Sequence, residues 1–124
     1  MKIYLDDLRP CPQGFEIART VEEAIRDYKD ASVFGCNIKI LSLDHDLGGL
    51  DGTYTKTGYD FCLWLVEEFY NDNIDFPYDI YLHTSNPVGR ENMLQLLNRY
   101  KPYYTTIHRA PMPFYNADGT YKED

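Results

Sequence analysis

Short apolar runs alternate along the chain with longer stretches in which apolar residues recur every three or four positions. Lys2–Leu5, Phe15–Arg19, Asn37–Leu43 and Tyr78–Leu82 are runs of strand length. Between them, Val21, Ala24, Ile25 and Tyr28 share one helical face. Phe61, Leu65 and Phe69 share another, and Met93, Leu94, Leu97 and Tyr100 a third. Caps mark where these helices begin. Thr20 with Glu23 three residues on reads as a capping box, and Thr57 starts the second helix. Asn86 followed by Pro87 reads as an N-cap with proline at the first helical position, and Pro102 stops that helix. Leu8–Gly14 holds two prolines and a glycine, which bar a regular helix there. Gly48–Lys56 has three glycines and no periodicity, so it is a loop. Tyr103–Ile107 alternates weakly and predicts a fifth strand, and Ala117–Asp124 reads as a frayed tail.

Strands alternating with helices predict an α/β, three-layer domain: a mainly parallel sheet covered on both faces, with right-handed crossovers. The size and the acidic tip of the first strand point to the flavodoxin-like order 2-1-3-4, with a fifth strand if residues near 105 pair. The first crossover helix is reduced to the Pro-rich loop. The 124 residues suit a single domain over 1–124, with no repeat, low-complexity block or linker.

Charge narrows the partners. Twelve Lys and Arg face twenty Asp and Glu, a net charge of −8. Extended nucleic-acid binding needs cations to neutralise phosphates, so a long RNA or DNA footprint is not expected. A small phosphorylated ligand or an RNA end fits better. No apolar run reaches the roughly 18 residues of a membrane span, and the acidic N-terminus does not read as a signal peptide. Cys11, Cys36 and Cys62 are odd in number and widely spaced, the pattern of reduced thiols in a cytoplasmic protein. Oligomeric state stays open.

The chemistry collects at strand ends. Asp6 and Asp7 close the first run; Asp44, His45 and Asp46 close the third; His83, Thr84 and Ser85 close the fourth. In open α/β sheets ligands bind at such tips. Asp6, Asp7 and Asp44 are candidate ligands for Mg²⁺ or another divalent cation, a hard ion that prefers oxygen. Arg9 is the internal competitor for that role, and no organic cofactor is implied. His45 and His83 are candidate acid and base for phosphodiester hydrolysis, since imidazole titrates near neutrality. Asp46 is placed to orient an imidazole. Asn86, Gly89 and Arg90 open a helix whose free N–H groups attract phosphate, with Gly89 giving close approach and Arg90 a charge. The bland alternatives are solvated strand-end acids, a buried hydrogen-bonded histidine and a plain helix cap. Trp64 and the Phe61–Phe69 stripe read as core, and the twelve tyrosines as half-buried packing.

Four blocks, in order, resemble the cyclic-phosphate-processing receiver domain, a branch of the receiver fold. They are Leu5–Pro10, Ser42–Gly48, Thr57–Asp60 and His83–Met93. The resemblance spans about residues 3–104, leaving 105–124 as a C-terminal extension. It implies a receiver fold and the processing of cyclic phosphate ends of RNA or nucleotides. In an ordinary receiver the acids matching Asp6, Asp7 and Asp44 bind magnesium, and the third-strand aspartate accepts a phosphoryl group. Thr84 or Ser85 matches the fourth-strand hydroxyl. The lysine expected after the fifth strand is replaced here by His108-Arg109. That departure argues against a phosphoacceptor on Asp44, and His45 and His83 argue for hydrolysis. The expectation is thus a phosphoesterase using His45, His83, Asp44 and Asp46, with Arg9, Thr84, Ser85, Asn86, Gly89 and Arg90 holding the phosphate. The rival is a non-catalytic receiver-like module that binds a nucleotide, a phosphate ligand or a protein partner.

Overall fold

A computed structural model describes residues 1–48 and 56–111. The elements are β1 (Lys2–Leu5), β2 (Glu16–Ala18), α1 (Val21–Val33), β3 (Ile40–Leu43), α2 (Gly58–Tyr70), β4 (Asp79–Leu82), α3 (Pro87–Tyr100) and β5 (Thr106–His108). The five strands form one sheet in the order β2-β1-β3-β4-β5, and every pairing is parallel. This is the receiver-like, flavodoxin-like order, fifth strand included.

Strand boundaries are set by available partners. β3 begins at Ile40, three residues later than its apolar run, because Ile40 pairs with Lys2 near the start of the chain. Before that point the contacts are isolated: the Met1 amino group donates to the Asn37 carbonyl, Lys39 N–H donates to the Met1 carbonyl, and Asp79 N–H donates to the Lys39 carbonyl. β5 lies further along than Tyr103–Ile107. Thr105 N–H closes a turn onto Pro102, which delays pairing until Thr106. The helix starts follow their caps. Thr57 and Asp60 form a reciprocal capping box at α2, and Asn86 Oδ1 accepts from Gly89 N–H at α3. At α1 the box is half formed. Thr20 accepts from Glu23 N–H, but the Glu23 carboxylate reaches one residue further back, to Arg19 N–H at 2.7 Å.

The core lies between the sheet and the helices. Ile3, Leu5, Leu41, Leu43, Ile80 and Leu82 point into it and meet Val21, Ala24, Tyr28, Phe61, Leu65, Met93 and Leu97. Burying each of the Val, Leu, Ile, Phe and Met side chains among them contributes about 1.5–3 kcal/mol. Trp64 packs at its margin against Phe61, with ring centroids 5.5 Å apart. The crossovers through α1, α2 and α3 all advance in one direction across the sheet, so with a common hand they share one face. Only the β1-to-β2 connection runs the other way, and residues 6–15 make it without a helix. The second face, bearing Tyr4 and Ser42, therefore has a loop as cover among the described residues. Phe15 from that loop packs edge-on against Tyr4 at 6.3 Å.

The loop expected at Gly48–Lys56 lies mostly outside the described residues, as does the tail Ala117–Asp124. Among the described residues no helix is long and apolar enough to cross a membrane. Cys11, Cys36 and Cys62 are free.

Candidate functional site

Strand register brings the chemistry together. Tyr4, Ser42 and Tyr81 are matched across β1, β3 and β4. Two residues further on, Asp6, Asp44 and His83 leave the sheet on that same face, because side chains alternate with a period of two. They meet at the C-terminal edge, where one ligating atom from each lies within 4.8 Å of the others. All three are buried.

Asp6 is the hub. Its Oδ1 accepts from the backbone N–H of Leu8 at 2.9 Å and of Arg9 at 2.8 Å. Its Oδ2 accepts from Arg9 Nη1 at 2.8 Å and from His83 Nε2 at 2.9 Å. A carboxylate offers about four acceptor positions, so Asp6 is saturated. Burial alone would raise its pKa. The donors of His83, Arg9 and Leu8 outweigh burial and hold the carboxyl well below its ordinary range. Arg9 Nη1 also reaches Asp44 Oδ2 at 3.4 Å. The Arg9 turn is braced in turn by Arg19, whose Nη1 donates to the carbonyls of Asp6 and Arg9.

Asp44 differs from Asp6. Its Oδ1 accepts from His45 N–H at 2.8 Å. Burial pushes its pKa up, and the nearby Asp6 charge adds to the rise. Asp7 does not join the cluster. Its Oδ2 accepts from Gly48 N–H at 2.8 Å, fastening the loop after β3. The acid set expected to share a cation is therefore Asp6 and Asp44 joined by His83, with Asp7 on the neighbouring loop. A divalent ion fits this arrangement poorly, since Asp6 has no acceptor position left.

The two histidines leave the sheet edge on different sides. His83 goes to the helix-free face. Its Nδ1 lies 2.7 Å from Ser42 Oγ, its Nε2 bonds Asp6, and Tyr4 covers the ring at 4.4 Å. His45 goes toward α3. Its Nδ1 bonds Asp46 Oδ1 at 2.8 Å, and Asn86 Nδ2 donates to both Asp46 oxygens. The His45 bond lowers the Asp46 pKa, with Asn86 assisting against burial. An ionised Asp46 only accepts, so Nδ1 is the protonated nitrogen of the neutral His45 ring, the tautomer with its lone pair on Nε2.

Gly89 was expected to admit a ligand. The space beside it is filled: a Cβ there would run into the His45 ring. Glycine at this place makes room for the imidazole. Likewise a Cβ at Gly58 would strike the Asp44 carbonyl, so the start of α2 rests on the tip of β3. At α3, the N–H groups of Gly89 and Arg90 are taken by Asn86, which leaves little of that helix end for phosphate. Thr84 is buried and its Oγ1 accepts from Asn86 N–H. Arg90 Nε is buried and meets no acceptor among the described residues.

An open cleft of about 430 Å³ lies over the cluster, lined by Asp6, Asp7, Leu8, Arg9, Asp44, Asp46, Gly48 and Ser85. Ser42, Tyr4 and Arg19 were missed as supporting residues. For Ser42 and Tyr4 the signal was present, since each lies two residues before a strand-tip acid on the same face. Arg19 gave none.

A family model described as Cyclic-phosphate processing Receiver domain matches residues 1–99. The chain belongs to this family. The receiver domain so identified covers every strand but β5 and all of α1 and α2, with α3 up to its last residue. It ties the chain to cyclic-phosphate processing. Comparisons with curated proteins and with solved structures give no match.

Proposed function

We propose that this receiver domain hydrolyses a cyclic phosphodiester, the 2′,3′-cyclic phosphate of a nucleotide or an RNA end, in the cleft over the strand tips. Its main support is the Asp46–His45 hydrogen bond of 2.8 Å, which in the neutral imidazole leaves Nε2 as an acceptor. The acids on either side of His45 in sequence, Asp44 and Asp46, line the cleft, and His45 itself lies just outside that lining. His45 takes a proton from the attacking water as the new P–O bond forms. The P–O bond to one ribose oxygen breaks, and that oxygen takes a proton from Asp44. Burial lets Asp44 hold a proton to higher pH than an ordinary carboxyl. Asp44 and His45 are joined by the His45 N–H, so acid and base come from consecutive residues.

His83 serves by position. Both of its nitrogens are engaged, and its side chain is only 3% exposed. It holds Asp6, which holds Arg9. Ser85 lines the cleft and adds a hydroxyl beside the phosphate. The net charge of −8 suits short ligands better than long RNA.

The test is turnover of 2′,3′-cyclic nucleotides and short cyclic-ended RNAs by the purified chain, with Mg²⁺ and with EDTA. Product monoester is expected in both conditions. Tight binding without product would favour the non-catalytic module, which the two engaged nitrogens of His83 also suit.

A further inference from the structure

We infer that Arg9 is the resident cation of the strand-tip cluster, so that cyclic phosphate is met by a guanidinium and not by a divalent metal on Asp6. The phosphate half of this inference rests on the proposed hydrolysis; the metal half stands on geometry alone. All four acceptor positions of Asp6 are filled by protein donors. Two of those donors are backbone N–H groups in the turn that carries Arg9, so the carboxylate cannot turn toward a metal without breaking the turn. Arg9 Nη1 spans Asp6 and Asp44, the two acids a metal would have to share. Arg19 pins the Arg9 carbonyl at 2.7 Å, which keeps the bridge in place.

Arginine also has donors to spare. A guanidinium carries five N–H groups in a planar fork. Nη1 accounts for two of them here, and among the described residues Nε and Nη2 meet no acceptor. Arg9 lines the cleft, with its side chain 22% exposed. A planar fork facing an open cleft suits two phosphate oxygens at once. Against the effect of burial, the Asp6 bond raises the pKa of a guanidinium that is charged in any case.

The experiment uses the full chain. Mn²⁺ binding is followed by electron paramagnetic resonance, and melting is compared in EDTA and in millimolar Mg²⁺. Wild type is expected to show no saturable Mn²⁺ binding below millimolar and an unchanged melting temperature. The affinity for 2′,3′-cyclic AMP is expected to be equal in the two conditions and about tenfold or more weaker in Arg9→Gln, the usual scale for losing a charge-assisted bond. Arg9→Lys should lie between the two, keeping charge but losing the fork. Saturable submillimolar Mn²⁺ binding by wild type that Asp44→Asn abolishes would overturn the inference, and that arm needs no Arg9 variant to fold. Should wild type bind neither Mn²⁺ nor 2′,3′-cyclic AMP, the hydrolysis reading and the phosphate half would fall, while the metal-free cluster would stand.

Discussion

His83 and His45 end neighbouring segments of the same sheet edge, yet they live in different surroundings. His83 is enclosed by Tyr4, Ser42 and Asp6, with both nitrogens in hydrogen bonds. His45 has one nitrogen tied to an exposed aspartate and its ring laid against a glycine of α3. The first is built like a core residue and the second like a reagent. A residue type and a strand-tip address do not by themselves assign a chemical role. What decides it is how many of the side chain's polar atoms the protein has already used.

The sharpest way to break this contrast is to delete each imidazole. His45→Ala should cut cyclic-phosphate turnover by about 10²–10⁴, the usual range for a general base, while leaving the melting temperature nearly unchanged. Comparable turnover would remove His45 from the mechanism. His83→Ala should behave in the opposite way. It strips a buried carboxylate of one partner and leaves a cavity, and should cost about 3 kcal/mol in urea unfolding. A stable His83→Ala protein that is fully folded and inactive would make His83 a reagent after all.

A subtler probe leaves both histidines in place. Gly89→Ala puts a methyl group where the His45 ring lies. Displacing a catalytic group by about 1 Å can cost up to about 10²-fold, so a drop of at least about tenfold in kcat is expected. Unchanged kcat would show that the ring need not rest on α3.

Acid separates the two acids under these histidines. The pKa of Asp6 is lowered in the folded chain, so the stability it lends is complete above its unfolded value near 4 and is lost as pH falls through the lower folded value. Asp44 has the opposite sign. Its raised pKa means that its ionised form costs stability at neutral pH, and the cost is relieved as pH falls through the folded value toward the unfolded value near 4. Urea midpoints across pH should therefore show Asp6→Asn converging on wild type in strong acid. The gap between Asp44→Asn and wild type should narrow at a higher pH. Convergence at the same pH would mean that the two carboxyls are alike. The smallest expected effect is that of salt: with short ligands, log KM against log salt should have a shallow slope, because few phosphates are neutralised.

Much of the fold was legible because its signals are local. Thr57, Asn86 and Pro87 announce two helix starts, and Lys2–Leu5 is a strand end to end. The tips were legible as well, since Asp6, Asp44 and His83 share strand parity. The same parity puts His45, one residue past Asp44, on the side opposite His83, whereas a shared strand-tip address alone groups the two histidines. The room for the His45 ring on that side comes from Gly89, 44 positions later in the chain. The engagement of Asp6 was hidden for a different reason. Half of its donors are backbone N–H groups, which every non-proline residue has, so no residue type advertises them.

The Asp6 turn is made of contacts two and three residues apart, whereas its bond to His83 closes a loop of 77. The near contacts form while the chain is still open, since short loops close fastest. The far one must wait for β4 to dock beside β3. The turn that seats the guanidinium can therefore close without β4, whereas the imidazole clasp cannot. A chain that ended before β4 would hold the residues of the cation-bearing turn but not those of the clasp.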